Sequence, residues 1–215
     1  MNIEKYVHEP IAAGIFYPSD PAALEETVSS LCQDGEALFS AARSTWPQNS
    51  TAYPSVLIVP HAAYSHAGSL IAAGFASFSA RPAESHSAVP ARTVKRIILI
   101  STLHRDGISA ALLPGARVFR FPSGEIPVDT RRRDSLLDHE PFRLDDLPFD
   151  EETSQELLLP FIGRFFPDAE VLPILLGDNS VRLSRRVADI LGKTATFPAS
   201  DTLLVVSTNL SRFTR

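Results

Sequence analysis

The chain has 215 residues, of which 44% are hydrophobic, and its 20 Lys and Arg against 25 Asp and Glu give a formal net charge of −5. This length and apolar content suffice for one buried core, so we predict a single domain over residues 1–215. The acidic balance argues against general binding to nucleic acids or anionic membranes. A short basic run at residues 131–133 lies between aspartates, and we interpret it as a solvated helix face.

Targeting and cofactor motifs are missing from the sequence. Its first residues lack the basic start and apolar core of a signal peptide, and no stretch is apolar for long enough to span a bilayer, which predicts a cytoplasmic protein. The single cysteine, Cys32, excludes an internal disulfide within one copy of the chain. Because no phosphate-binding loop or dinucleotide fingerprint is present, we expect no nucleotide cofactor.

The first half of the chain predicts two helices and two strands. Asp20 followed by Pro21 is typical of a helix start, and the apolar spacing after it predicts a helix over about 21–40. An apolar strand at 55–60 comes next, then a helix from near Ser65, a surface loop at 80–94 and a strand at 96–101. The second helix is expected to bury Leu70, Ile71, Phe75 and Phe78.

The second half begins with two short strands at 108–113 and 117–119, which we predict to pair around a Pro-Gly turn. Asp129 is expected to cap a helix that reaches about residue 139. Asp150 is expected to open another, which Pro160 should kink or break.

The last predicted elements are a strand at 171–176, a helix capped by Ser180 and closed by Gly192, and a strand at 202–207. Strands alternate with helices along the whole chain and are apolar throughout. This pattern predicts an α/β fold: a single domain with a mainly parallel or mixed central sheet flanked by helices.

Three of the predicted strands run into polar residues that can do chemistry: His61, His104 and Asn209. In open α/β proteins, ligands gather at the carboxyl ends of neighbouring parallel strands, so we expect these endings to meet at one crevice. Two imidazoles there could hold Fe(II), Zn or Cu. His66, at the start of the following helix, either reaches the same crevice or is a surface residue.

Six segments, in order along the chain, resemble the Memo family, also described as AmmeMemoRadiSam system protein B. They are residues 8–18, 60–68, 101–104, 121–124, 151–161 and 207–213. The resemblance implies a fold similar to that of the LigB-type class III extradiol dioxygenases, in which two histidines and a glutamate hold Fe(II). In the Memo group the pocket has two histidines, matching His61 and His104, and a cysteine from a later segment.

The chain departs from the family pattern at several site positions. Thr153 stands where the family has a histidine, and Asn209 and Arg212 stand where it has an aspartate and a histidine. These changes remove acid–base groups, and Arg212 adds a cation that opposes a divalent metal. The family's later segment is also expected to be missing, which would leave an apolar carboxyl-terminal face open to an oligomer or partner chain.

The leading hypothesis is therefore a Memo-like protein whose crevice binds a small polar or anionic ligand without full catalysis. The crevice would be lined by His61, His104, Thr153, Asn209 and Arg212, and any iron, copper or zinc would be held at low occupancy.

Two other hypotheses stay open. In one, the protein is a dioxygenase-like metalloenzyme in which His61 and His104 hold Fe(II), and Glu156, His66 or a partner chain completes the catalytic shell. In the other, it is an interaction scaffold whose surface carries the function.

Overall fold

The computed structural model describes residues 6–44, 54–78, 93–105, 107–194 and 196–209. In chain order its elements are β1 (Val7–His8), α1 (Pro21–Arg43), β2 (Val56–Val59), α2 (Tyr64–Ala76), β3 (Arg96–Thr102), β4 (Ala111–Leu113), β5 (Val118–Phe121), β6 (Gly124–Pro127), α3 (Thr130–Leu136), β7 (Phe142–Leu144), a 3₁₀ turn (Glu156–Leu158), α4 (Leu159–Phe165), β8 (Glu170–Leu176), α5 (Val181–Lys193) and β9 (Thr202–Ser207).

The central sheet has six strands in the order β2-β9-β3-β8-β4-β7. The four strands from β2 to β8 are parallel, while β4 runs antiparallel to β8 and parallel to β7. A smaller sheet contains β1, β5 and β6. The predicted mixed α/β fold is confirmed.

Apolar side chains fill both faces of the central sheet, because successive residues of a strand point to opposite sides. On one face, Leu99 and Val205 pack in a cluster with Leu24 of α1 and Phe75 of α2. On the other face, Ile98 and side chains of α5 form a second cluster. Burial on both sides explains why these strands are apolar at almost every position.

A tight turn at residues 11–17 lies against the start of α2. Gly14 has φ of +80°, a left-handed conformation that glycine adopts without strain. The carbonyl of Phe16 accepts the backbone N–H of Tyr64 at 3.0 Å and so caps the first turn of α2. The family-like segment near the amino terminus therefore fixes the helix that follows His61.

The predicted pairing of 108–113 with 117–119 is wrong. The strand Ala111–Leu113 pairs with β7 and β8, whereas Val118–Phe121 pairs with β1 and β6 in the smaller sheet. The Pro-Gly turn leads the chain from one sheet to the other: β4 pairs with the distant β7 and β8, whereas β5 pairs with β1 and forms a hairpin with the adjacent β6.

The predicted helix opening at Asp150 is also wrong. Residues around 150–155 form turns, and the helix α4 begins at Leu159. Pro160 lies in the first turn of α4, where its missing N–H costs no helical hydrogen bond. It therefore helps to start a helix instead of breaking one.

Three smaller expectations also need correction. Leu70 is 56% exposed, because α2 packs through Ile71 and Phe75 on its other side. The helix capped by Asp129 ends at Leu136, short of residue 139. Arg133 is buried and donates to the carbonyls of residues 114–116, so it is not part of a solvated face.

Most of the loop expected at 80–94 lies outside the described residues. In the described part of the chain, none of the helices has the combined length and apolar character needed to cross a membrane.

Candidate functional site

The carboxyl ends of β2, β9 and β3 lie side by side and bring His61, Asn209 and His104 together. The ring centroids of His61 and His104 are 5.2 Å apart, with the rings nearly perpendicular at 84°. The expected meeting of the three strand endings is confirmed. The strand β9 lies between the two histidine-bearing strands, so Asn209 reaches the site from the middle.

The position of His61 is fixed by hydrogen bonds to its backbone and to its ring. Its N–H donates to Oδ1 of Asn209 at 3.1 Å, and its carbonyl accepts from Nδ2 of Asn209 at 3.0 Å. Its ring Nδ1 lies 2.9 Å from Oγ of Ser207, the last residue of β9. The Ser207 hydroxyl donates to the carbonyl of Ser154 at 2.7 Å.

His104 is held by one buried carboxylate. Its backbone N–H donates to Oε2 of Glu152 at 2.8 Å, and its ring Nδ1 lies 2.9 Å from the same oxygen. The other oxygen of Glu152 accepts the backbone N–H of Ser154 at 2.9 Å. The side chain of Glu152 is 6% exposed, whereas that of His104 is 49% exposed. The imidazole is thus supported from inside the protein and open to solvent.

The Glu152 carboxylate is ionised at neutral pH. Burial by itself would raise its pKa, but hydrogen bonds from the backbone N–H groups of His104 and Ser154 and from the His104 ring outweigh burial and lower the pKa below its ordinary value. An ionised carboxylate only accepts hydrogen bonds. Nδ1 of His104 therefore carries a hydrogen in both charge states of the ring.

The turn that carries Glu152 is anchored to the sheet. Ser154 Oγ donates to Oγ of Ser101 in β3 at 2.9 Å. The next residue, Gln155, donates its Nε2 hydrogens to the carbonyls of Leu99 and Ile174, which belong to neighbouring strands. These bonds join the turn to β3, whose end leads to His104, and to the neighbouring strand β8.

Glu156, expected to complete a catalytic shell, has another set of partners. Its carboxylate accepts the backbone N–H groups of Ile11 and Ala12 at 2.8–3.1 Å and the hydroxyl of Tyr17. Burial and the nearby carboxylate raise the pKa of Tyr17 well above its ordinary value, which keeps the hydroxyl protonated as a donor. Glu156 therefore holds the turn at 11–17 in place.

The remaining predicted site residues are placed as follows. His66 is exposed, and its Nδ1 lies 3.0 Å from Oγ of the neighbouring Ser65. Thr153 is half-buried between Glu152 and Ser154, and its carbonyl accepts the N–H of Leu157. Arg212 lies outside the described residues.

The donor set of the site fits a metal ion only in part. Each histidine ring has an oxygen at hydrogen-bond distance from Nδ1, an arrangement typical of metal-binding histidines. Among the residues described, however, no group of three or more His, Cys, Asp or Glu side chains is placed to hold a metal ion. His61 and His104 could supply two ligands of a metal ion. Neither Glu156 nor His66 is placed to supply a third.

Sequence reasoning gave no site role to Glu152, Ser154 or Ser207. Ser207 carried a usable signal, since it is the polar end of an apolar strand directly before the predicted crevice. Glu152 carried a weaker signal, since it lies in the family-like segment 151–161 next to Thr153, but its contact with His104 joins residues 48 positions apart.

A separate cavity of about 480 Å³ lies between α1, the β5–β6 hairpin and α4. Its lining includes Val28, Phe121 and Arg164. None of the predicted site residues lines it, so it is distinct from the crevice.

Comparisons with known proteins agree with the resemblance of the six segments. A family model described as "Memo-like protein" matches residues 8–215. A MEMO1 family protein of Thermotoga maritima is 28% identical over 211 residues, which cover 95% of this chain and 70% of the relative. MEMO1 family proteins of Methanobrevibacter smithii and Caldivirga maquilingensis are 24% and 22% identical, with 96% and 95% of this chain and 70% and 68% of the relatives covered. Since the family model spans nearly the whole chain, the protein is a member of the Memo-like family.

Proposed function

We propose that the crevice at the ends of β2, β9 and β3 binds a small polar or anionic oxyacid between His61 and His104. The observation that carries this proposal is the pair of imidazole rings 5.2 Å apart, each with Nδ1 engaged by the protein. With Nδ1 engaged, Nε2 is the ring nitrogen through which each histidine would meet a ligand. A neutral ring accepts a hydrogen bond there, and a protonated ring donates one.

The residue at position 209 favours an oxyacid over a bare cation, and Glu152, behind His104, is the one carboxylate that the described residues bring to this pair of rings. Asn209 lies against His61 where the family pattern has an aspartate, and an amide brings no negative charge to the site. Arg212, three residues later in the sequence, would add a guanidinium suited to carboxylate or phosphate. We therefore propose ligand binding without the full metal-dependent chemistry implied by the family resemblance.

Inorganic phosphate is the probe for this proposal. Isothermal titration of the purified chain should detect phosphate binding, and replacing both histidines by alanine should remove it. His66→Ala is the matched control, because it deletes an exposed imidazole in the first turn of α2, just after His61 in the chain. This variant should leave phosphate binding unchanged. Stoichiometric iron, copper or zinc in the purified chain that is lost on His61→Ala would overturn the proposal.

One observation favours a second candidate, a dioxygenase-like oxidoreductase that uses Fe(II). The oxygen partners of both Nδ1 atoms are what a bis-histidine metal site needs, and His61 and His104 would then be two of the metal ligands. A bound Fe(II) would supply oxygen-activating chemistry. Aerobic conversion of a catechol that depends on added Fe(II) and on both histidines would support this candidate, and no conversion across a broad catechol panel would count against it.

A further inference from the structure

The cavity between α1, the β5–β6 hairpin and α4 is large enough for a small organic ligand. Its volume of about 480 Å³ falls within the range of roughly 300–1,000 Å³ that is typical of small-molecule sites. Part of its wall is apolar, since the buried side chains of Val28, Phe121 and Ile126 line it. Glu25 and Arg164 line it as well. The cavity therefore offers apolar contact together with charged groups of both signs.

The aromatic part of the wall depends on two glycines. A Cβ added at Gly124 of β6 or at Gly163 of α4 would lie 2.9 Å from Cζ of Phe121. A side chain at either position would therefore displace the ring. The hairpin and α4 thus leave room for the Phe121 ring from two sides and set its place in the wall.

The charges of Glu25 and Arg164 are not neutralised by the protein. Within the described ranges neither residue forms an ion pair, although both line the same cavity. Arg164 hydrogen-bonds Cys32, but burial raises the pKa of this thiol and keeps it neutral, so it does not compensate the guanidinium. The other carboxylate in the lining, Glu125, lies 3.7 Å from the guanidinium of Arg120.

The two uncompensated charges are far apart along α1. Glu25, Val28 and Cys32 recur at spacings of three and four residues, which places them on one face of the helix. At a rise of 1.5 Å per residue, Glu25 lies about 10 Å along the axis from Cys32, the residue that Arg164 contacts. A ligand that meets both charges therefore needs its own charges at opposite ends, with an apolar body between them.

We propose that this cavity binds a small zwitterion with an apolar middle, its ammonium group at Glu25 and its carboxylate at Arg164. An apolar dipeptide and an ω-amino acid share this chemistry. An α-amino acid does not, because both of its charged groups are attached to one carbon. The proposal goes beyond the histidine crevice and does not depend on it, since neither His61 nor His104 lines this cavity.

Isothermal titration of the full chain with three probes tests the ligand class. Leucyl-leucine and ε-aminocaproate represent the two sources, and the probe that binds more tightly identifies which source the cavity takes. Leucine should bind at least about tenfold more weakly than that probe, since it can make only one of the two charge-assisted contacts. No binding of either separated zwitterion, or equal binding of leucine, would overturn the proposal.

Variants of the two charged residues assign the two ends of the ligand. Glu25→Gln should weaken the tighter probe about tenfold but leave its N-acetylated form, which lacks the ammonium, unchanged. Arg164→Gln should weaken the same probe about tenfold and leave its carboxyl-amidated form unchanged, whereas Arg164→Lys should retain most of the affinity. Glu26→Gln is the matched control, because this neighbouring exposed glutamate is not part of the lining. Wild-type affinity in both glutamine variants would overturn the assignment.

Two further variants test where the probe binds. Ser123→Phe places a large side chain in the lining at the hairpin turn and should abolish binding. If this variant fails to fold, Gly163→Ala, which displaces the Phe121 ring, should weaken binding instead. Replacing both His61 and His104 by alanine should leave the affinity at the wild-type value. Binding that survives the cavity variants, or that is lost with the two histidines, would overturn the location of the site.

Discussion

The side chain of Asn209 pairs with the backbone of His61 as a neighbouring strand would. Oδ1 accepts the N–H at 3.1 Å and Nδ2 donates to the carbonyl at 3.0 Å. The backbone ladder between β2 and β9 ends just before this pair, with Thr208 N–H donating to Val59 at 2.9 Å. One amide side chain thus extends the pairing of the two strands to the residue that carries the imidazole.

We predict that Asn209→Ala lowers the free energy of unfolding by about 1–2 kcal/mol, because two hydrogen bonds are lost at a partly solvated position. Asn209→Asp should keep the bond to the N–H and place a carboxylate against the carbonyl, which recovers little of the loss. Urea denaturation measures both variants. Thr208→Ala is the control, since its strand contact is made by the backbone, and a loss equal to that of Asn209→Ala would refute the pairing role.

Glu156 is predicted to act on stability and not on ligand binding. Glu156→Gln should lower the free energy of unfolding by about 2–4 kcal/mol, since an amide NH₂ would face the buried donors of Ile11, Ala12 and Tyr17. Glu151→Gln, at an exposed ion pair with Arg105, should cost less than about 1 kcal/mol. Urea unfolding and phosphate titration separate the roles: a variant of wild-type stability that no longer binds phosphate would restore Glu156 to the site.

Because His8 is buried, we predict that the free energy of unfolding decreases in mild acid. Burial lowers its pKa, and the neighbouring Asp150 only partly offsets this, with Glu156 and Asp146 adding smaller opposing effects. Below the ordinary pKa of 6.5 the unfolded chain binds a proton that the folded chain does not. Stability contributed by neutral His8 is therefore complete above pH 6.5 and is lost as the pH falls toward the lowered pKa.

The pH dependence is checked by urea unfolding between pH 7.5 and about pH 5. His8 should contribute at most about 1.4 kcal/mol per pH unit to the slope of the free energy of unfolding against pH. His8→Gln should reduce the slope, and the exposed His139→Gln should leave it unchanged. The assignment fails if the two variants show the same slope as wild type.

Two glycines in helices are predicted to respond in opposite directions to alanine. A Cβ on Gly35 of α1 would lie 2.6 Å from the backbone nitrogen of Ala73 in α2, so Gly35→Ala should destabilise by about 1–3 kcal/mol through forced separation of the helices. A Cβ on Gly192 of α5 would meet nothing within 4 Å, and Gly192→Ala should stabilise by about 0.5–1 kcal/mol. Thermal unfolding compares the two, and a loss of stability in both would contradict the difference in packing.

Local patterns in the sequence determined most of the helices and central strands. Asp20 and Ser180 cap their helices as predicted, and the apolar runs at 96–101, 171–176 and 202–207 became β3, β8 and β9. These features depend on residues within a few positions of one another, through capping bonds and apolar spacing. The meeting of His61 with His104 also followed, because parallel strands place their carboxyl ends at one edge.

Only the tertiary structure decided which polar groups support those histidines. The contacts of His61 with Ser207, of His104 with Glu152 and of Glu156 with Tyr17 join residues 146, 48 and 139 positions apart. No local spacing encodes such contacts, since a carboxylate follows whichever buried donors the packing brings near it. For the same reason Glu152 supports the crevice while Glu156, four residues later, fastens the turn at 11–17.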